Sequence, residues 1–128
     1  MPFDGFGGGI RYAVLDVLTK SREYLADRKH WVKGAERSEG QVCIFGAIKM
    51  YSEDYPEPER PQIIALAMGA VSNVIASLYS IRSQKRKGKD LDEVTRVTSF
   101  NDHVEIPHAH IGIVLENAVE NVVQRELV

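Results

Sequence analysis

The sequence lacks three features that would point to a function class. Cys43 is the only cysteine in 128 residues, so an internal disulfide is excluded and a reducing compartment is indicated. Positive charge is not in excess, since 16 basic and 18 acidic residues give a net charge of −2. This balance disfavours a whole-chain nucleic-acid binder, which usually carries a strong positive excess. The N-terminus also lacks the basic head and apolar stretch of a secretory signal, so we expect a cytoplasmic protein.

The composition indicates one folded, mainly helical domain. Hydrophobic residues make up 44% and charged residues 27% of the chain, which is ordinary for a globular protein. Four of the first nine residues are glycine, so residues 1–9 are predicted to be a flexible leader before a single helical domain over 10–128. Within that domain we expect a compact bundle of about four helices with an irregular polar loop. The segment 31–42, with Gly34 and Gly40, is predicted to form a loop or a short β-hairpin.

Helical periodicity predicts where these helices lie. The first should run from Ile10 to about Arg28, the second should fall within 42–51, and the last should follow Pro107. The third, over 63–81, carries no charge and is long enough to span a membrane. Small and polar residues recur along one side of it, and this favours a buried central helix of a soluble domain over a membrane span: Gly69, Ser72, Asn73, Ala76, Ser77 and Ser80.

Three short motifs occur in a recognisable order. Trp31-Val32-Lys33-Gly34 follows the first helix, Cys43-Ile44-Phe45-Gly46-Ala47-Ile48 starts the second, and Phe100-Asn101-Asp102 precedes the last. This order resembles an uncharacterised family of small helical proteins of bacteria and their phages. The resemblance implies a compact helical domain of bacterial or phage origin, and it implies no known activity.

Cys43 is the first candidate catalytic residue. A nucleophilic thiol needs a lowered pKa, and a helix start together with His103 and Asp102 could provide it. The alternative is that Cys43, which lies between Val42 and Ile44, is a small buried hydrophobe. The apolar neighbours favour burial, so no catalytic residue is predicted.

The polar residues near Phe100 allow two interpretations as well. Asn101 and Asp102 could line a small pocket with His103, or they could order the turn before the last helix while Phe100 anchors it. We favour the second interpretation.

The histidines are the only candidates for a metal site, together with Asp102 and Glu105. On a helix that begins at Pro107, His108 and His110 diverge by about 200°, and they cannot chelate one ion. We therefore predict no metal and no other cofactor. The three histidines considered are His103, His108 and His110.

A basic run follows the third helix. Its cations could contact phosphates, but acidic residues follow at once and no aromatic residue is interleaved, so a solvated loop is favoured. The five cations are Arg82, Lys85, Arg86, Lys87 and Lys89.

The prediction for function is a non-enzymatic accessory or interaction protein that binds an unidentified protein partner. Self-association is an open alternative for the partner. Nucleic-acid association through residues 82–89 is the second function considered, and a Cys43-dependent enzyme is the third.

Overall fold

Helices make up most of the computed structural model, which describes residues 8–79, 85–86, 89–90, 92–103 and 105–127. The predicted mainly helical fold is confirmed, although the described residues contain five α-helices instead of about four. These are α1 (Gly8–Leu25), α2 (Ile44–Ser52), α3 (Arg60–Leu78), α4 (Glu93–Asp102) and α5 (His108–Leu127). The predicted leader falls mainly outside the described residues, and its last two glycines belong to the first turn of α1.

Two short antiparallel strand pairs lie between the helices. Strands β1 (Arg37–Ser38) and β2 (Gln41–Val42) pair antiparallel, which confirms the hairpin interpretation of 31–42. Gly40 closes their turn with a φ of 86°, a left-handed conformation that glycine adopts without strain. Strands β3 (Lys85–Arg86) and β4 (Lys89–Asp90) also pair antiparallel. Strand β2 leads directly into α2, so the first hairpin fixes where that helix begins.

Helix α3 lies at the centre of the fold and packs against all four other α-helices. Its core side includes Ile63, Ala67, Val71 and Ile75, which are fully buried. Within the stripe of small residues, Ser72 is buried and accepts a hydrogen bond from Arg96 Nη1 of α4 at 2.8 Å, whereas Asn73, Ala76 and Ser77 are exposed. Ser80, the last residue of the predicted stripe, lies outside the described residues. The other side of the helix, from Gln62 to Leu78, is partly open to solvent and carries no charge.

The segment Glu57–Leu78 is long and apolar enough to cross a membrane, and its most apolar 18-residue window has a mean hydropathy of 1.6. Length and composition alone do not separate a membrane span from the core helix of a soluble protein. The structure shows that 39% of this segment's most apolar window is buried against the rest of the chain.

Helix α4 was not predicted, and the expected irregular connection before Asn101 is wrong over Glu93–Asp102. Its β-branched residues, such as Val94, Thr95 and Val97, have low helix propensity and concealed the helix from periodicity analysis. Asp92 begins the helix as N-cap by accepting a hydrogen bond from Thr95 N at 2.8 Å. Burial of Val97 and Phe100 then outweighs the poor propensity.

Candidate functional site

Asn101 joins the three sequence motifs. Its side chain is fully buried, and Oδ1 accepts hydrogen bonds from Trp31 Nε1 at 2.8 Å and from Ile44 N at 3.2 Å. Its Nδ2 donates to Val32 O at 3.0 Å and to Asp102 Oδ1 at 2.9 Å. The amide thus uses two acceptor and two donor positions, which is all that it has. We call these five residues the Asn101 cluster.

Asp102 and Lys33 extend the same connection at its edge. Asp102 Oδ1 also accepts from Gly34 N at 2.9 Å, and Gly34 has a left-handed φ of 82°. Lys33 Nζ donates to Ile106 O at 3.1 Å and to His103 O. Asn101 and Asp102 were expected to order the turn before the last helix. They instead tie the end of α4 to segments 57 to 70 residues earlier in the chain.

Cys43 lies beside the cluster, at the N-cap of α2. It is buried, with 4% of its surface exposed, and Sγ accepts a hydrogen bond from Gly46 N at 3.3 Å. Burial is the main cause that raises the pKa of this thiol, so the reactive thiolate is disfavoured. The His103 ring accepts from Glu105 N at 3.1 Å, and no hydrogen bond joins it to Cys43 in the described part of the chain. The candidate catalytic residues Cys43, His103 and Asp102 are therefore not assembled as a nucleophile with its base.

The histidines are held by different parts of the fold. His108 Nε2 lies 2.6 Å from Leu25 O, at the end of α1, and the His110 ring lies 3.2 Å from the Tyr79 hydroxyl. Neither ring is directed toward His103 by these contacts. Over the ranges that the structure describes, no group of three or more His, Cys, Asp or Glu side chains could hold a metal ion.

An open groove lies on the uncharged side of α3, away from the motifs. It has a volume of about 530 Å³ and runs between α3 and the ends of α1 and α5. We call it the α3 groove. Its apolar lining consists of Ile10, Val14, Ala65, Leu66, Ala70 and Val122, together with Gly69. Its polar groups come from Arg11, Gln62, Asn73 and Glu93.

Two opposite charges, Arg11 and Glu93, line this groove. The Glu93 carboxylate lies over Gly69, so closely that an added Cβ there would be 3.1 Å from Oε2. Within the described residues, neither Glu93 nor Arg11 has a hydrogen bond or an ion pair through its side chain. Leu66 lies in the same groove with 47% of its surface exposed. This combination of exposed apolar surface and unpaired charge is absent from the Asn101 cluster.

Sequence reasoning missed the α3 groove because no motif marks it. The available signal was the run of uncharged residues in α3, which a fully buried helix would also show. The basic run, by contrast, falls largely outside what the structure describes. Arg82 and Lys87 lie outside the described residues, and Lys85, Arg86 and Lys89 are placed only as parts of the β3–β4 pair.

Comparison with known protein families gives a match over most of the chain. The model of a family described as a family of unknown function (DUF6197) matches residues 10–121, which include all three motifs. No curated protein and no solved structure matches the chain.

Proposed function

The chain belongs to DUF6197, and we propose that it is a non-enzymatic interaction protein that binds a protein helix in its α3 groove. The observation that carries this proposal is the α3 groove itself, in which Leu66 is 47% exposed and which is lined by two opposite charges, Arg11 and Glu93, that have no side-chain partner among the described residues. Exposed apolar surface bordered by polar groups is typical of interaction sites. Bacterial or phage origin and a cytoplasmic location belong to the same proposal, and they rest on the resemblance of the motifs and on the single cysteine.

The lining of the groove defines the chemistry of the partner. A helix with an apolar ridge suits a groove between helices, because such ligands are bound through side chains spaced three or four residues apart. Ala65 and Ala70 are small side chains that allow close approach, and Leu66 offers an apolar contact. The partner should place a cation near Glu93 and an anion near Arg11, since charge complementarity fixes orientation and register.

The contacts of the candidate catalytic residues support a non-enzymatic role. Cys43 caps a helix with its sulfur, and Asp102 accepts bonds from Gly34 N and Asn101 Nδ2. These groups are occupied in holding the fold together. A Cys43-dependent reaction and nucleic-acid association through residues 82–89 gain no support from the described contacts.

The proposal is tested by placing a photo-activated cross-linking amino acid at position 66 in the full chain, expressed in cells. Position 113 is the matched control, because Ile113 is 46% exposed and lies outside the α3 groove. We expect a discrete protein adduct from position 66 and none from position 113. Equal labelling from both positions, or no adduct from position 66, would refute a partner site in the groove.

A further inference from the structure

We propose that the occupant of the α3 groove is a second copy of this chain, so that the protein forms a two-fold symmetric dimer. This inference rests on the proposed function and deepens it by naming the partner. In a two-fold interface the same surface is used by both subunits, and every contact occurs twice. The surface must therefore be complementary to itself.

The charges of the groove meet this requirement. Arg11 and Glu93 have opposite signs, line one groove and have no side-chain partner among the described residues. A copy rotated by half a turn presents its Glu93 toward Arg11 and its Arg11 toward Glu93. Both unpaired charges would be neutralised by two equivalent ion pairs. A groove with two charges of one sign would instead repel a second copy.

The surface of α3 also meets the requirement of self-complementarity. No charge occurs in this helix after Arg60, so two copies can bring their α3 helices together without burying an unpaired ion there. Leu66 is 47% exposed in a groove that is also lined by the small side chains of Ala65 and Ala70. The leucine of each subunit can thus enter the groove of the other. The net charge of −2 adds only weak repulsion between copies.

Sedimentation velocity of the purified full chain, over a wide concentration range, measures the oligomeric state. We expect the parent to be a dimer that dissociates on dilution, Leu66→Glu to be monomeric, and Ile113→Glu to behave as the parent. Circular dichroism of both variants shows whether they keep their helices. A parent that stays monomeric at the highest concentration overturns the inference.

Charge reversal tests the symmetry itself. Arg11→Glu and Glu93→Arg should each weaken the dimer about tenfold, which is a loss within the range for close interfacial charge pairs. The double variant Arg11→Glu/Glu93→Arg should recover the affinity of the parent, because the pairs are restored with their signs exchanged. A double variant whose dimer dissociation constant is raised by the product of the two single effects would overturn the pairing.

The cross-linker at position 66 separates this inference from the proposed function. With purified protein, an adduct of twice the chain's mass supports the second copy. A monomeric purified protein that forms an adduct with a different protein in cells overturns the dimer and leaves the partner site standing. Absence of any adduct overturns both. A cross-link within one chain assigns the groove to another segment of the same chain and overturns both as well.

Discussion

The Asn101 cluster and the α3 groove use polar groups in opposite ways. In the cluster, the buried amide of Asn101 has a partner within the chain for each of its four bonds. In the groove, Arg11 and Glu93 have none through their side chains among the described residues. Buried polar groups that are fully paired stabilise one arrangement of the fold, whereas unpaired groups on an open apolar surface are available to a ligand. Under the proposed function, the motifs stabilise the fold and the surface that carries no motif binds the partner.

Phe100→Ala should lower the stability of the fold more than any other substitution considered. Phe100 is 1% exposed and contacts the Tyr79 ring at a centroid distance of 4.9 Å, so truncation leaves a cavity where α4 meets α3. We expect the free energy of unfolding to fall by about 3–5 kcal/mol. Chemical denaturation followed by circular dichroism measures it.

The matched control for Phe100 is Asp102→Ala, two residues away. It removes the acceptor of the exposed Gly34 N–H and of one N–H of the Asn101 amide, and its cost should be about 1–3 kcal/mol, below that of Phe100→Ala. An Asp102 variant that keeps full stability but loses partner binding would show that this motif belongs to the binding site and not to the scaffold.

Asn101→Ala comes next in size. The buried Ile44 N–H and the Trp31 indole N–H both lose their acceptor, and each unsatisfied donor costs about 1–3 kcal/mol, so the total should be near 3 kcal/mol. Asn117→Ala is the control, because among the described residues the Asn117 side chain donates only to Ile113 O of its own helix. Equal denaturation midpoints for the two variants would show that the cluster does not stabilise the fold.

Glycine substitutions compare the two regions directly and should have smaller effects. A Cβ at Gly46 would lie 2.2 Å from Glu36 O, a backbone atom, so Gly46→Ala should cost about 1–3 kcal/mol. At Gly69 the nearest atom is the movable carboxylate of Glu93, and at Gly112 nothing lies within 4 Å. Gly112→Ala should stabilise its helix by up to about 1 kcal/mol, and Gly69→Ala should be close to neutral.

These three variants are measured by thermal melting at a low protein concentration, where self-association does not contribute. A Gly46→Ala protein as stable as the Gly112→Ala protein would contradict the close packing of α2 against the β1–β2 hairpin.

The helical fold could be predicted from the sequence where apolar periodicity was strong, as in α1 and α5. Helix α4 could not, because its β-branched residues are poor helix formers and it depends on the burial of Phe100. The hydrogen-bond partners of Asn101 could not be predicted from the sequence either. Its partners lie 57 to 70 residues away, and residue type alone does not select one partner at such a separation.

The α3 groove could not be predicted for a different reason. An uncharged helix face is the same signal whether another helix covers it or solvent does. Only the three-dimensional arrangement shows that Leu66 is open while Val71, on the same helix, is fully buried.

The claim that the motifs form the scaffold depends most directly on Cys43, the single cysteine, which lies in the second motif. Its labelling by a small thiol reagent, at neutral pH in the native state, should be far slower than that of a free peptide thiol. Both burial and a raised pKa oppose reaction, and addition of denaturant should restore a fast rate. Labelling of the native protein as fast as a peptide thiol would show an accessible, reactive sulfur, and it would contradict the assignment of this motif to the scaffold.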